Sequence, residues 1–320
     1  MTSPHQTLIQ IQRIRAVGLT VSNADRARDF YTHALGFKVV SDLTIHDLNY
    51  CKLEGVSATR IRIITLQLGE ETIELMQYLD LPGNPIPPDS HSNDRWFQHC
   101  AIVVSDMDRA YAHLCNFSID PISSSPQTIP PGNKEAACIQ AFKFKDLDRH
   151  DLELIWFPPD KGQAKWHQPT DQLFLGIDHT AIVVTDTAQS LHFYRDLLGM
   201  KVDGGSFNWR ETQAKMDGLP NTKLRVTALR PVQGGLGIEL LDYVEPTDGR
   251  SIPRSWSSKD IAHVQVEFVV HDLQQMIDHL HSHHVPFTAS PAIELPNQLP
   301  YQQGCLVNDP TGHALLLIQE

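Results

Sequence analysis

The stretch His99-Cys-Ala-Ile-Val-Val-Ser-Asp106 recurs with few changes as His179-Thr-Ala-Ile-Val-Val-Thr-Asp186. Each copy is an apolar run ending in an aspartate, a pattern typical of a buried β-strand followed by a helix N-cap. Tens of residues after each copy comes a second apolar run with a glutamate at its centre, Glu153 and then Glu239. Because buried charges are either paired or bound to metals, these four residues indicate a metal site.

The repeat extends over nearly the whole chain. Residues 14–36 and 177–199 share one pattern, and Val264–Asp272 is a weaker copy of the strand at His99. Each unit reads as a strand, an amphipathic helix and three further strands, with Pro-rich polar connectors between units. We predict an α+β fold of four β-α-β-β-β modules, at about 13–80, 95–158, 174–245 and 261–320, grouped in two halves, 13–158 and 174–320.

The composition narrows the class of protein. The chain has 320 residues and a net charge of −12, which argues against general nucleic-acid binding because that needs a basic surface. No apolar run approaches the length that spans a membrane. The five cysteines form no C-x-x-C pair, as expected of free thiols in a reducing compartment. We expect a cytoplasmic protein with a small-molecule substrate, monomeric or homodimeric, that binds neither nucleic acid nor membrane.

A family resemblance follows from the repeat. The pattern strand-Asp-helix-Phe-Tyr-x-x-x-Leu-Gly and the late glutamate strand resemble the vicinal oxygen chelate superfamily. That group includes glyoxalase I, extradiol dioxygenases, methylmalonyl-CoA epimerase, and fosfomycin and bleomycin resistance proteins. The resemblance covers about residues 13–320. It implies modules paired into two cupped mixed sheets, with metal ligands on the first and last strand of each module, but it leaves the reaction open.

The resemblance gives two candidate ligand positions per module, which are Ala16 and Glu74, His99 and Glu153, His179 and Glu239, and Gln265 and Leu316. If modules pair in sequence order, each half keeps three potential ligands. If modules two and three pair, one site holds His99, Glu153, His179 and Glu239. We favour this second pairing, because chance loss of ligands would not preferentially spare those two modules. Glu74, Gln265 and His263 then form a possible secondary site; His263 precedes Gln265 by two residues and faces the same side.

The favoured ligand set predicts the chemistry. Two imidazoles and two carboxylates suit one divalent metal such as Ni, Zn, Co, Mn or Fe. The resemblance then implies a metal-dependent lyase or isomerase of the glyoxalase I type. It would bind vicinal oxygens of a small oxo or hydroxy substrate and move a proton via an enediolate. Glu153 and Glu239 are equivalent candidates for the catalytic base.

Other readings stay open at this point. An extradiol ring-cleaving dioxygenase uses two histidines and one carboxylate, which His179, Glu239 and His263 would supply in the sequential pairing. A non-catalytic protein that binds a drug-like small molecule is a third possibility. Arg62 and Arg225 occupy homologous strand positions, and they either face solvent or bind a substrate carboxylate.

Overall fold

The computed structural model describes residues 9–288 and 292–320. In the first half of the chain, each module opens with a strand and a helix and closes with further strands. Module one consists of β1 (Ile11–Thr20), α1 (Ala24–Leu35), β2 (Lys38–Ile45), α2 (Leu48–Leu53), β3 (Ile61–Leu68) and β4 (Glu71–Tyr78). Module two consists of β5 (Gln98–Val104), α3 (Met107–Leu114), β6 (Asp120–Pro121), β7 (Gln127–Thr128), β8 (Gln140–Lys145) and β9 (Asp151–Trp156).

The second half repeats this order after a short 3₁₀ helix at Ala164–His167. Module three consists of β10 (Phe174–Val183), α4 (Thr187–Leu191) continued by a π-helical segment (His192–Leu197), β11 (Lys201–Trp209), α5 (Arg210–Asp217), β12 (Lys223–Arg230) and β13 (Gly237–Glu245). Module four consists of β14 (Val264–Val270), α6 (Leu273–Ser282), β15 (Ile293–Glu294), β16 (Gln303–Asn308) and β17 (Ala314–Gln319). None of the helices described is long and apolar enough to cross a membrane.

The first helix of every module starts at the same kind of residue. An Asn or Asp side chain accepts a hydrogen bond from the backbone N–H three residues on, which supplies one of the acceptors that a helix start lacks. These N-caps are Asn23, Asp106, Asp186 and Asp272. The glycine that ends the Phe-Tyr-x-x-x-Leu-Gly pattern, Gly36 in module one and Gly199 in module three, has positive φ, as a left-handed helix end requires.

The strand order shows which modules pair. Modules two and three form the inner sheet, in the order β11-β12-β13-β10-β5-β9-β8-β6, with β7 beside β8. Modules one and four form the outer sheet, in the order β15-β16-β17-β14-β1-β4-β3-β2. The pairing is that of the second arrangement considered above, and each half of the chain contributes one module to each sheet. The predicted α+β fold with two mixed sheets is confirmed.

Side chains alternate between the two faces of each sheet. On one face, here called the core face, residues such as Ile102, Ile182, Val17 and Phe268 join one large apolar cluster with the helices. The opposite face carries the predicted ligand positions and is here called the site face. The largest apolar cluster thus lies behind both sheets, on the side away from the predicted ligand positions.

The two site faces differ in what covers them. On the outer sheet, Leu316 and Met76 pack in an apolar cluster with Tyr50 and Leu53 of α2 and Tyr301 from the loop before β16. On the inner sheet, the site face borders a cavity of about 610 Å³. The same module architecture therefore gives an outer cup whose ligand positions are covered by apolar side chains and an inner cup whose ligand positions border a cavity.

The turn between β3 and β4 of the outer sheet packs against strand β10 of the inner sheet, and this contact can be tested by mutation. Gly69 has φ +61, and a Cβ built on it would lie 2.3 Å from the backbone oxygen of Leu175 in β10. We expect Gly69→Ala to lower the free energy of unfolding by about 2 kcal/mol, because it adds both backbone strain and a backbone clash. Gly132→Ala is the control, since a Cβ there meets no atom within 4 Å. Urea unfolding in which the two variants are equally stable would contradict this packing.

Candidate metal centre

The pairing of β5 with β10 brings the four predicted ligands together. In this antiparallel pair His99 lies opposite Ala181, and His179 lies opposite Ala101. The parallel neighbours place Glu153 beside Ala101 and Glu239 beside Ala181. Side chains paired in this way share one face with their Cβ atoms about 5 Å apart. The two small alanines thus leave room for two histidines and two glutamates to converge.

The converging side-chain atoms are close enough to share one ion. His99 Nε2 lies 3.3 Å from Glu153 Oε2, and His179 Nε2 lies 3.8 Å from the same oxygen. His179 Nε2 also lies 3.4 Å from Glu239 Oε2. One ligand atom from each of His99, Glu153 and His179 falls within 4.8 Å of the others. Glu239 stands at the edge of this compact trio.

The hydrogen bonding of the histidine nitrogens indicates whether a metal would fit this site. Both ring nitrogens of His99 and Nε2 of His179 are buried without a hydrogen-bond partner among the described residues. Leaving such groups unpaired costs roughly 1–3 kcal/mol each. A divalent cation would accept the imidazole lone pairs and offset the carboxylate charges, so the donor set fits a metal.

His179 is held in place by Asp178, which sequence reasoning missed. Asp178 Oδ2 lies 3.1 Å from His179 Nδ1, which leaves Nε2 directed at the cluster. Asp178 itself accepts hydrogen bonds from Trp166 Nε1 at 2.9 Å and from Arg230 at 2.9 Å. The strand register shifts between Ile177 and His179, so Asp178 sits at a bulge that turns it toward its neighbour. The sequence feature that could have identified Asp178 is an acidic residue directly before the predicted ligand His179.

Burial and charge set the protonation of the two histidines differently. Burial lowers the pKa of His99 to about 4 against the opposing effect of Glu153, so its imidazole is neutral at pH 7. Burial also favours the neutral form of His179, but the carboxylates of Glu239 and Asp178 outweigh this effect and raise the pKa of His179 to about 9. Because a ligand must release its proton, metal binding has to displace the proton of His179 and therefore weakens as the pH falls.

The two glutamates also differ. Burial alone would raise the pKa of Glu153, but the groups around it, chiefly His99 and then Lys143, lower it below the ordinary value. Burial raises the pKa of Glu239 above the ordinary value despite the opposing charge of His179. The Glu153 side chain is 7% exposed and that of Glu239 is 26% exposed. Glu153 is thus a fixed anion, whereas Glu239 is the carboxylate that faces the cavity more openly.

Lys143 is a second residue that the sequence analysis missed. It lies on β8, is 3% exposed, and lines the cavity beside His99 and Glu153. Its Nζ is 2.7 Å from Asp217 Oδ1. Burial opposes the charged form, but Asp217 and Glu153 raise the pKa of Lys143, so it stays cationic. The sequence feature that could have identified Lys143 is a lysine within a strand whose other residues are mostly apolar.

The structure places the predicted substrate arginines elsewhere. Arg225 pairs with Asp242 and alternates with Leu224 and Val226, which line the inner cavity, so it points to the opposite face. Arg62 belongs to the outer sheet, where it pairs with Asp25 and Asp42. Among the residues described, the arginine that lines the inner cavity is Arg230.

The predicted secondary site is not assembled as a ligand cluster. His263 Nε2 lies 3.1 Å from Gln265 Oε1, and His263 lines a separate cavity of about 530 Å³. Glu74 instead pairs with Arg15. The set His179, Glu239 and His263 is not brought together either, because His263 belongs to the outer sheet and the other two to the inner sheet.

In the outer sheet, the guanidinium of Arg15 lies beside the positions that correspond to the predicted metal ligands of the inner sheet. Arg15 occupies the bulge in β1 that matches the bulge at Asp178, and its guanidinium contacts both Glu74 and Glu267. Burial, opposed by Arg15 and assisted by Glu74, raises the pKa of Glu267 to about 8. One guanidinium therefore contacts both members of a buried pair of carboxyl groups.

Removing this cation should destabilise the protein. We expect Arg15→Met to lower the free energy of unfolding by about 3 kcal/mol, because it strands two buried carboxyl groups. Arg13→Met is the matched control on the same strand. Arg13 pairs with Glu320 where both are 38% exposed, and such surface pairs contribute at most about 1 kcal/mol. Equal losses in urea unfolding would show that Arg15 has no special role.

Comparison with known proteins agrees with this geometry. The model of the Glyoxalase/Bleomycin resistance protein/Dioxygenase superfamily matches residues 13–154 and 176–317. Glyoxalase I from Zea mays superposes with a TM-score of 0.61 and 16% identity, over 96% of this chain and 92% of that chain. A putative dioxygenase from Bacillus subtilis superposes with a TM-score of 0.60 and 13% identity, over 98% and 86%.

At such identities these likenesses establish the fold alone. None of the curated proteins compared with this chain matches it. The family model, in contrast, covers most of both halves, including the four predicted ligands of the inner sheet. The chain therefore belongs to the Glyoxalase/Bleomycin resistance protein/Dioxygenase superfamily.

Proposed function

We propose that the protein is a divalent-metal-dependent isomerase or lyase of the glyoxalase type, acting in the inner cup. The observation that carries this proposal is the convergence of His99, Glu153, His179 and Glu239 on one cavity, with buried imidazole nitrogens that have no hydrogen-bond partner in the described part of the chain. A structural role would require partners for those nitrogens, because buried polar groups are nearly always hydrogen-bonded.

The four residues would all bind the metal, and one of them would also transfer a proton. A bound divalent ion supplies Lewis-acid stabilisation of charge on two adjacent substrate oxygens. His99, His179 and Glu153 are deeply buried and would fix the position of the site. Glu239 is the more exposed carboxylate, and it would take a proton from the carbon next to the substrate carbonyl and return it to a neighbouring atom.

Metal content gives the first test. We expect the wild-type protein to bind one equivalent of Ni²⁺, Zn²⁺ or Co²⁺, and His99→Ala and His179→Ala each to weaken that binding by at least ~100-fold, because each removes a direct ligand of one shared ion. Elemental analysis and titration calorimetry measure this. His263→Ala is the control and should keep wild-type binding. Two independent half-occupied sites, or loss of metal in His263→Ala, would contradict the proposal.

A ring-cleaving dioxygenase is the second candidate. The observation that favours it is the compact trio of His99, Glu153 and His179, from which Glu239 is absent. Two histidines and one carboxylate are the ligands typical of non-haem Fe(II) oxygenases. This trio differs from the set considered from sequence, since it uses His99 in place of His263 and Glu153 in place of Glu239.

Glu239→Gln separates the two candidates. If Glu239 is the base, the variant should lose about 100- to 10,000-fold in the rate of solvent deuterium exchange into small 2-oxo and 2-hydroxy compounds, carboxylic acids included. Nuclear magnetic resonance measures that exchange in the metal-loaded protein, with His263→Ala as the unaffected control. Oxygen uptake with catechols by the Fe²⁺-loaded wild type, retained in Glu239→Gln, would favour the dioxygenase instead.

A further inference from the structure

We propose that Lys143 binds an anionic group of the substrate, so that the inner cup takes a 2-oxo or 2-hydroxy acid and not a neutral carbonyl compound. The inference rests on the proposed function, because it places the acid group next to the metal ligands. Lys143 lies directly opposite Glu153 in the β8–β9 pair, on the site face. A substrate held by two oxygens at the ligand cluster would therefore have its next substituent within reach of this ammonium.

The ammonium of Lys143 has unused hydrogen-bonding capacity. It carries three N–H donors. Within 9–288 and 292–320, the one hydrogen-bond acceptor of its Nζ is Asp217 Oδ1. The Phe97 ring lies 5.7 Å from the same Nζ. A buried ammonium normally has its donors satisfied. Lys143 lines the cavity, so an incoming carboxylate or carboxylate-like oxygen would accept from its remaining donors.

The other cations that line the cavity are less available. Arg230 is committed to Asp178 and Asp203. Lys161 is half-buried at the rim and donates to the backbone oxygen of Lys134. Lys143 is thus the cation that stands beside the predicted ligands with donors to spare.

The outer cup provides an internal comparison. The residue opposite Leu316 there is Leu306, just as Lys143 is opposite Glu153 in the inner cup. The residue that matches Asp217 is Glu54; both end a helix and precede a glycine of positive φ. The lysine is therefore missing in the cup that lacks the ligand set.

Glu54 shows that the helix does not need the lysine to stay in place. It accepts hydrogen bonds from Tyr78 Oη at 3.2 Å and from Gln265 Nε2 at 3.4 Å, and α2 packs over its sheet. A lysine at position 143 is accordingly not a requirement of the module fold. It accompanies the site with four ligands, which is the pattern expected of a substrate-binding residue.

The test uses two chelators that differ in one charge. Oxalate and acetohydroxamate both bind metals through adjacent oxygens, but oxalate has two further carboxylate oxygens where acetohydroxamate has a methyl group and an N–H. We expect Lys143→Met to weaken oxalate binding to the Co²⁺-loaded protein by about 10- to 100-fold, the loss expected for a charge-assisted hydrogen bond. Acetohydroxamate affinity should change by less than about 3-fold, and Lys143→Arg should largely restore oxalate binding. Titration calorimetry measures each affinity.

Controls separate this role from a structural one. Lys145→Met makes the same change on the same strand, at a buried lysine that donates to Ser90 O, and should leave both affinities unchanged. Because Lys143→Met leaves Asp217 without its cation, the pair Lys143→Met with Asp217→Asn provides a charge-balanced second variant. It should show the same selective loss of oxalate binding with wild-type Co²⁺ content.

The outcomes distinguish two failures. Equal oxalate affinity in wild type and Lys143→Met, or equal weakening of both chelators, overturns the role of Lys143 while the metal site stands. A wild-type protein that retains no divalent metal overturns the proposed function itself. Selective loss of oxalate binding in both Lys143 variants, with normal metal content, supports an acidic substrate.

Discussion

The antiparallel contact between β5 and β10 is the interaction on which the site depends. Its register sets His99 opposite Ala181 and His179 opposite Ala101, and the parallel neighbours bring in Glu153 and Glu239. A slip of one residue would turn one strand's histidine to the core face. The register of the backbone hydrogen bonds thus determines which four side chains share this face of the sheet.

Charge compensation explains why the two cups of one chain differ. Carboxylates cannot remain buried without a cation or a proton. In the outer cup the cation is Arg15, and apolar side chains from α2 and the loop before β16 fill the rest of the space. In the inner cup no arginine takes that position; the matching residue is Asp178, which orients His179. Apolar side chains cover the ligand positions of the outer cup, whereas those of the inner cup border an open cavity.

Much of the site follows from local sequence. The repeat identifies four modules, and aligning them predicts His99, Glu153, His179 and Glu239 on equivalent strands. Lys143 and Arg15 were not identified, because a lysine or arginine in an apolar strand has the same local pattern whether it faces solvent or a buried carboxylate. Arg62 and Arg225 illustrate the same ambiguity, since both were considered for substrate binding and both pair with surface acids.

The sequence by itself determined the module, its caps and the strand positions of the four predicted ligands, because periodicity and capping are local properties of the chain. Only the tertiary structure decided which modules share a sheet. Within its own module, each of the strands β1, β5, β10 and β14 is paired on one side only, so backbone hydrogen bonding alone does not distinguish the two pairings. The choice depends on long-range packing of side chains on both faces, and it gathers His99 of the first half with His179 of the second.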